Sequence, residues 1–265
     1  MDKSLLVRLF GFGATLIHGD TLVLDRWCFL ERHLPIAGHG ETLLDVGCGT
    51  GAFTIGAARR GYRALGLSWD ERNQTTAAER ARACGVANAT FDVHDVRHLD
   101  RRRDLRGAFD IVVCFENAEH ILDDAKLFRD IAACLKPGGR LLVTSPFLHH
   151  RAITPADDTA LSTYEDGGHV RRGYTPAMLA DLCAGAGLVV EEVAFCSGVL
   201  SQKITWLLRT LARVHPLLGW AVVLPLRIVP PLIDPALTRL LRWPYYSICV
   251  EAAKPNLHVA ERAQR

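Results

Sequence analysis

The sequence lacks a charge imbalance of either sign. Among its 265 residues, 31 Lys and Arg side chains oppose 29 Asp and Glu side chains, so the net charge is only +2. A domain that binds nucleic acid is usually strongly basic along one face, so the composition argues against a nucleic-acid partner. Internal repeats and low-complexity tracts are missing too, which leaves a globular fold.

Metal-binding patterns are also absent from the sequence. The chain contains eight cysteines, but none forms a CxxC pair and no Cys/His spacing fits zinc. Several of them lie in apolar runs, where a free thiol packs as a small hydrophobe. We therefore predict no bound metal, and reduced cysteines rather than a disulfide framework.

Apolar segments of transmembrane length are missing as well. The N-terminal apolar stretch is broken by Arg8 and lacks a small-residue cleavage site, so we predict no secretory signal. A second apolar stretch is broken by Pro225, Arg227, Pro230 and Pro231, whereas a bilayer-spanning helix needs about 20 predominantly apolar residues. We expect a cytoplasmic location, with peripheral contact at the inner face of the membrane as an open alternative.

What the sequence does have is a large apolar fraction in regularly spaced segments. Apolar residues make up 49% of the chain and charged residues 23%, enough for a sizeable core. Short apolar runs typical of buried strands fall at residues 42–46, 64–67, 89–93, 110–114, 140–145, 188–195 and 245–251. Helical patterns separate them, such as the apolar stripe of Phe128, Ile131, Ala132 and Leu135. Strands that alternate with helices predict a doubly wound α/β sheet.

The same pattern divides the chain into four parts. Residues 1–40 are predicted to form an N-terminal helical cap, with Asp20 as a candidate helix N-cap. Residues 41–195 form the predicted cofactor-binding core, and residues 196–244 an apolar, basic helical insertion between strands six and seven. Residues 245–265 supply the last strand and a C-terminal tail.

A glycine-rich stretch after the first strand carries the functional signal. Gly47, Gly49 and Gly51 remove side chains where the backbone must turn sharply and approach a ligand. Between a buried strand and a helix, such a turn forms a nucleotide-sized crevice. The spacing Gly47-x-Gly49-x-x-Ala52 also fits a dinucleotide fingerprint, which wants an acidic residue about 20 positions on. A nicotinamide-dependent oxidoreductase is therefore an alternative.

Four ordered motifs resemble those of class I S-adenosylmethionine-dependent methyltransferases. They are Leu-Asp-Val-Gly-Cys-Gly-Thr-Gly at 44–51, Asp95 after the third strand, a fourth strand that leads into Glu-His at 119–120, and Leu-Lys-Pro-Gly-Gly at 135–139. The resemblance covers about residues 40–195 and the closing strand. It implies a seven-stranded sheet with an antiparallel last strand and the cofactor S-adenosylmethionine. It assigns cofactor binding to Asp45, Gly47, Cys48, Gly49, Gly51, Asp95, Val96 and Glu116.

One position departs from the family pattern. The ribose-binding acid expected at the end of the second strand is Ser68 here. The local string resembles that of fatty-acid cyclopropane synthases, which implies that Ser68 and Asn73 or Gln74 hold the ribose and that Trp69 lies against the adenine. Asp70 is the competing ribose ligand, and the sequence does not choose between them.

Acceptor-side candidates follow the fourth strand, at Glu119 and His120, and the fifth strand, at His149 and His150. Methyl transfer from a sulfonium is an in-line displacement, for which the protein aligns the nucleophile and excludes water. A hydroxyl acceptor benefits from a base, and histidine suits that role near neutral pH. We predict His169 as the first candidate, because Gly-His-Val-Arg at 168–171 resembles a string that leads into the next helix in many small-molecule methyltransferases; Glu119 and His120 come after it. The alternatives are a loop-bracing histidine at 169 and a structural partner beneath the cofactor at 120.

The insertion combines apolar and basic residues. Between 203 and 242, six basic residues accompany the single acid Asp234. Such a segment, with tryptophan, suits peripheral membrane contact through 204–242, and it equally suits a lid over an apolar acceptor, a dimer contact or a cap that completes the core.

The whole pattern predicts methyl transfer from S-adenosylmethionine, to oxygen on a small hydrophobic or lipid-linked acceptor. Besides the oxidoreductase, a catalytically silent module that binds a membrane or partner is the rival interpretation. The oligomeric state is not predictable from these features.

Overall fold

The computed structural model describes residues 5–17, 21–38, 40–158 and 160–256. The predicted N-cap Asp20 and the tail after residue 256 lie outside this part of the chain. The strands are β1 (Thr42–Val46), β2 (Arg63–Ser68), β3 (Ala89–Val93), β4 (Phe109–Phe115), β5 (Leu135–Pro146), β6 (Val189–Cys196) and β7 (Ser247–Ala253). The helices are α1 (Leu5–Phe10), α2 (Gly13–Leu16), α3 (Leu22–His33), α4 (Ala52–Arg59), α5 (Glu71–Ala83), α6 (Asp124–Cys134), α7 (Pro176–Gly185), α8 (Val199–Ala212), α9 (Pro216–Leu226) and α10 (Pro230–Leu240).

The seven strands form one sheet in the order β3-β2-β1-β4-β5-β7-β6. β1 pairs in parallel with β2 and β4, whereas β7 runs antiparallel to both β5 and β6. The predicted doubly wound sheet with an antiparallel last strand is confirmed. The strand order reverses between β1 and β4, and in open α/β sheets such a switch point opens a crevice at the carboxyl ends of the strands.

The strand predictions agree with the structure at β1 and β3 and differ at β5. The apolar stripe that predicted a helix through Leu135 is wrong at its end, because α6 stops at Cys134 and Leu135 already pairs with Phe109 of β4. The segment 136–139, which lies outside the predicted strand at 140–145, belongs to β5. A register shift in the β4–β5 pairing accommodates it, and Gly138 adopts a φ of +78° there.

Both faces of the sheet are covered by helices. On one face, Phe128 and Ile131 of α6 and Leu179 of α7 pack against the buried strands. On the other, Phe29 and Leu30 of α3 pack near Ala57 of α4. The segment predicted as an N-terminal cap therefore contributes α3 to the main core, since the apolar face of α3 is fully buried.

The insertion between β6 and β7 contains three helices, α8 to α10. Ile204 and Leu208 of α8 and Val223 of α9 form a small separate core. No individual helix in the described part of the chain has the length and apolarity needed to cross a membrane. α9 and α10 meet at an angle of 82°, and both pack on α8, which in turn contacts α3.

Candidate active site

The glycine-rich loop joins β1 to the first turn of α4 at the switch point. Asp45, the fourth residue of β1, is fully buried, and the Thr54 hydroxyl of α4 donates to its carboxylate at 2.7 Å. Burial raises the pKa of Asp45 to about 6, against the lowering effect of that hydrogen bond. Asp45 thus fixes α4 relative to β1, and the loop wraps over its carboxylate.

The three glycines of this loop have different roles. A Cβ at Gly47 would lie 2.6 Å from the Asn117 side chain, and one at Gly51 would lie 2.8 Å from Ala77 and Phe91. Packing therefore requires these two glycines. A Cβ at Gly49 would meet no atom within 4 Å, and its φ is +52°. Gly49 is thus the position where the loop leaves open space for a ligand.

Cys48 faces away from that open space. Its thiol is buried 3.6 Å from the Gln74 amide, and its backbone N–H, like that of Gly47, donates to the Leu67 carbonyl. Burial raises the pKa of the Cys48 thiol, which keeps it protonated and inert. The cofactor contact predicted for Cys48 can therefore involve only its backbone on the ligand side.

The ribose candidates after β2 separate into anchored and available groups. The buried Gln74 amide donates to the Asp92 carbonyl at 2.9 Å, which ties α5 to β3. Asp70 caps α5, because one of its oxygens accepts from the N–H groups of Arg72 and Asn73. Asn73 is half-buried, and its side-chain amide has no hydrogen bond within the described part of the chain.

Ser68 is buried, whereas the neighbouring Trp69 is exposed. Ser68 is buried at the end of β2, where its hydroxyl oxygen accepts from the Asp70 N–H at 3.3 Å. Trp69, the next residue, is exposed over 69% of its surface. An exposed indole beside the crevice is available to stack on a base, so the placement is compatible with the role predicted for Trp69.

Asp95 and Val96 follow β3, as the family motif requires. Asp95 caps a short 3₁₀ helix (Val96–Arg101), and Val96 is buried. Hydrogen bonds from the Arg97 guanidinium lower the pKa of Asp95 and keep it ionised. Arg97 also pairs with Glu165 at 2.8 Å, which ties the loop before α7 to this edge of the site.

Glu116 immediately follows β4 in a strained conformation. Its φ of +47° lies in the left-handed region that disfavours side chains with a Cβ. Arg26 of α3 pairs with its carboxylate at 2.8 Å, and the Ser247 hydroxyl of β7 donates to it at 3.3 Å. Strained residues held by their surroundings are frequent at ligand sites; the cofactor contact of Glu116 stays a prediction.

Glu119 is a fully buried acid in the next turn, a short 3₁₀ helix (Ala118–His120). The Ser145 hydroxyl of β5 donates to one carboxylate oxygen at 2.9 Å, and the other oxygen has no partner in the described residues. Burial, reinforced by the neighbouring Glu116 carboxylate, raises the pKa of Glu119 well above its usual range. A largely protonated carboxyl at neutral pH follows.

His120 and His169 face each other beside this carboxyl. Their ring centroids are 4.6 Å apart, at an interplanar angle of 83°. The Gly168 carbonyl can only accept, so His120 Nδ1 carries the proton of their 3.0 Å hydrogen bond. Desolvation by its surroundings, reinforced by His120 and His150, lowers the pKa of His169, although part of the side chain is exposed to solvent. The neutral His169 ring therefore leaves a nitrogen lone pair for a proton or a ligand.

A carboxylate oxygen of Glu119 and a ring nitrogen from each of His120 and His169 lie within 4.8 Å of one another. One carboxylate oxygen and two imidazole nitrogens are ligands that can bind a divalent cation. The sequence predicted no metal because these residues have no recognisable ligand spacing; only the fold brings position 169 to positions 119 and 120.

A network behind the two histidines fixes their positions. Arg171 donates to the Ile121 and Leu122 carbonyls and pairs with Asp124. The buried Tyr174 hydroxyl donates to Asp124 at 2.9 Å. The segment that carries His169 is thereby attached to the start of α6, so the spacing of the two rings is a property of the folded core.

A cleft of about 530 Å³ opens in front of these residues. Sequence reasoning found five of its lining residues: Glu116, Glu119, His120, His150 and His169. It missed the others that carry polar side chains into the cleft, namely Arg26, Asp157, Asp158, Arg172, Arg209 and Tyr246. No local motif marks them, since they come from α3, the loop after β5, α8 and the start of β7. The one signal in the sequence was Arg26, an arginine among the apolar residues of α3.

Known proteins resemble the chain over this same region. The model of a methyltransferase domain family matches residues 28–193. The ubiquinone biosynthesis O-methyltransferase of Marinobacter nauticus is 30% identical over 182 residues, 67% of this chain and 74% of that protein. The enzyme of that name from Chromobacterium violaceum is 34% identical over 170 residues, 63% of this chain and 71% of that protein.

Solved structures share the fold at low sequence identity. Phosphoethanolamine N-methyltransferase 2 of Haemonchus contortus, in complex with S-adenosylmethionine, has a TM-score of 0.62 at 18% identity, and the match covers 96% of this chain and 60% of that one. The [4+2]-cyclase SpnF has a TM-score of 0.60 at 21% identity, with 88% and 81% covered. These identities show the fold alone.

The open position at Gly49 and the polar groups that end β2 to β4 fit S-adenosylmethionine, with Asp45 supporting the loop from below. The family model spans the strands and motifs that build this crevice. This match disfavours both alternatives, a nicotinamide-dependent oxidoreductase and a catalytically silent module. The model covers more than half of the chain, and the protein therefore belongs to the methyltransferase-domain family and is an S-adenosylmethionine-dependent methyltransferase of the class I fold.

Proposed function

We propose that the protein methylates a hydroxyl oxygen of a small hydrophobic molecule whose polar head enters the 530 Å³ cleft. The observation that carries the proposal is the pair of facing histidine rings, His120 and His169, beside the fully buried Glu119 carboxyl. A hydroxyl needs such a proton acceptor, whereas a neutral amine often does not. The relatives named as ubiquinone biosynthesis O-methyltransferases support an oxygen acceptor.

The cofactor supplies an electrophilic methyl group when bound. We assign its binding to Asp45, Gly47, Cys48, Gly49 and Gly51 of the first loop, to Ser68, Trp69, Asp70 and Asn73 after β2, to Asp95 and Val96 after β3, and to Glu116 after β4. Among the ribose candidates we favour Ser68 and Asn73, because the Gln74 amide is already engaged with Asp92 and one Asp70 oxygen caps α5.

His169 is the proposed base on the acceptor side. Its lowered pKa keeps the ring neutral at pH 7, so it can take the hydroxyl proton as the oxygen attacks. His120 is held in one tautomer by the Gly168 carbonyl. The protonated Glu119 carboxyl can donate a hydrogen bond toward these rings, which orients them without placing a second negative charge near the nucleophile.

Charge in the cleft is balanced around that pair. Arg26 neutralises Glu116, Arg209 neutralises Asp157 at 2.6 Å, and Arg172 pairs with Asp158 at 3.2 Å. A strongly charged head would break one of these pairs, so the cleft favours a neutral, hydrogen-bonding head such as a phenol. The location is part of the proposal: the cytoplasmic side, in peripheral contact with the inner membrane face through residues 204–242.

The test is methyl transfer from labelled S-adenosylmethionine to a series of phenols and catechols with alkyl tails of increasing length. We expect methyl ethers as products and a KM that falls as the tail grows. Aniline and thiol analogues of the same phenols, assayed with the same labelled S-adenosylmethionine, serve as matched controls for the accepting atom. Methylation of carbon or nitrogen alone would overturn the oxygen assignment.

The cation-compatible set at Glu119, His120 and His169 is tested on the same reaction. Activity that survives exhaustive dialysis against EDTA supports the histidine base. Activity that EDTA removes and a divalent cation restores would assign these side chains to a metal instead.

A further inference from the structure

Exposed apolar side chains concentrate on the insertion. Twelve large apolar residues between 214 and 241 are exposed, and three of them, Ile228, Leu232 and Leu240, are 71%, 75% and 79% exposed. All the rest of the described chain contributes fourteen such residues, scattered over its surface. Contiguous apolar surface on one element marks an interaction site rather than ordinary exposure.

α9 has no polar face that could explain this exposure. Its sequence from Pro216 to Leu226 contains no charged residue, and only Gly219 and Val223 are buried. A helix that is apolar on all sides is stable when most of its surface is removed from water. The described residues bury one side of α9 against α8, so the remaining sides call for an apolar environment outside the chain.

The charges around this surface all have one sign. The single acid of the insertion, Asp234, is buried, and its carboxylate accepts the N–H groups of Leu200 and Ser201 at the start of α8. Exposed arginines flank the apolar surface on both sides: Arg213 before α9, and Arg239 and Arg242 at the end of α10. None of these three has an acidic partner in the described part of the chain.

We propose that this insertion docks the protein on an anionic lipid bilayer, with the exposed faces of α9 and α10 at the boundary between headgroups and acyl chains. Lipid phosphates then meet Arg213, Arg239 and Arg242. Each helix of 11 residues is about 16 Å long at 1.5 Å per residue, half the hydrocarbon thickness. The 82° bend lets both helices lie in the plane of the interface.

Charge complementarity favours lipid over a second copy of the chain. In a two-fold symmetric dimer the same surface faces itself, so six arginines would gather at one interface with no exposed acid from the insertion to pair with them. Like charges across an interface oppose association. A bilayer that contains anionic lipid supplies the opposite charge and the apolar phase together.

The docking surface and the acceptor cleft share a wall. Arg227, between α9 and α10, pairs with Asp25 of α3 at 2.8 Å. Arg26, which follows Asp25 in α3, lines the cleft. Arg209 of α8 lines it from the other side. An acceptor with an apolar tail would thus reach the cleft from the bilayer, a consequence that rests on the proposed acceptor chemistry; the docking develops the peripheral location proposed above and is tested without any acceptor.

The experiment is co-sedimentation of the full chain with vesicles of phosphatidylcholine alone or with 30 mol% phosphatidylglycerol. We expect tight binding to the anionic vesicles that weakens about tenfold or more without phosphatidylglycerol. Leu232→Glu should abolish the binding, and Ile36→Glu, an equally exposed position outside the insertion at 79%, should not. Each of Arg213→Gln and Arg239→Gln should weaken it about fivefold, and Arg101→Gln should leave it unchanged.

Two further measurements keep the result decisive. S-adenosylhomocysteine binding is measured on every variant, so that loss of fold or of cofactor binding is recognised separately from loss of docking. Wild-type protein that binds the cofactor product but neither kind of vesicle would overturn the proposal. So would a dimer in sedimentation velocity that Leu232→Glu dissociates, which would assign the surface to a second copy of the chain.

Discussion

The cofactor side and the acceptor side of the crevice are assembled in different ways. Every predicted cofactor residue lies within a few positions of the end of β1, β2, β3 or β4, so each arrives with its own strand. The acceptor cleft takes its walls from α3, the loops after β4 and β5, α8 and the start of β7. Local motifs specify the first side, and only the complete fold specifies the second.

The largest test of this contrast is Gly49→Arg. The position opens into free space at the loop, so an arginine there would fill the cofactor crevice and lower affinity for S-adenosylhomocysteine by about 100-fold or more. Isothermal titration calorimetry measures it. Gly85→Arg is the matched control, since Gly85 has a similar φ of +68° and equally open surroundings at the far end of α5. Normal binding by Gly49→Arg would contradict the cofactor assignment.

His169→Gln tests the acceptor side. We expect kcat to fall by about 100-fold or more while S-adenosylhomocysteine binds normally. His149→Gln is the control, because His149 is exposed and packs on Phe147 outside the cleft. In the wild type, activity should fall as the pH drops through the lowered pKa of His169, since protonation removes the base. If the residual activity of His169→Gln had the same pH profile as the wild type, His169 would not be the base.

Arg209→Ala asks whether the insertion belongs to the acceptor side. The change removes the ion pair with Asp157 in the cleft wall, and leaves the glycine loop untouched. We expect the KM for a soluble acceptor to rise about tenfold with unchanged cofactor affinity, measured by initial rates and calorimetry. Arg101→Ala, an exposed arginine near the cofactor edge, should change neither constant. A cofactor defect in Arg209→Ala would break the division between the two sides.

Glu119→Gln has the smallest predicted effect, on stability. Burial raises the pKa of Glu119 in the folded state, so the folded protein binds more protons than the unfolded chain above the unfolded pKa. Wild-type stability should therefore decline as the pH rises from about 4.5 toward the folded value. The amide has no such proton, and its stability relative to wild type should increase by about 1–3 kcal/mol between pH 5 and 8.5, measured by urea denaturation. A parallel pH dependence of both proteins would contradict the raised pKa.

Sequence reasoning predicted most of the sheet for a physical reason. Buried parallel strands are short apolar runs, and β1, buried at all five positions, begins and ends where its run does. β3 lies at the edge of the sheet and is only partly buried, and its predicted bounds agree as well. Sequence reasoning failed at 135–139 because the apolar period of α6 continues into Leu135, where pairing with β4 overrides the helical pattern. It grouped the three loop glycines together, although only Gly49 faces open space. That distinction depends on Asn117, Ala77 and Phe91, which are remote in sequence.

The acceptor side shows where such reasoning ends. Glu119 and His120 were found because they lie beside a strand motif, and His169 because a Gly-His-x-Arg string leads into α7. Arg26 and Arg209 are 183 positions apart in the chain and meet at one cleft. Nothing within either helix indicates that meeting, since it results from the packing of α8 on α3.

The position of β7 orders events during synthesis. β6 lies at the edge of the sheet and joins it only through β7, the last strand of the described chain to leave the ribosome. β1 to β5 can pair among themselves before β7 is synthesised. Until then, β6 has no strand to pair with, and the three helices after it have no complete sheet to follow. Long-range pairing of this kind is slow and leaves apolar surface exposed meanwhile. The nascent chain would thus carry a complete cofactor side and an incomplete acceptor side with exposed apolar helices, which the bilayer that we propose as the docking partner would cover.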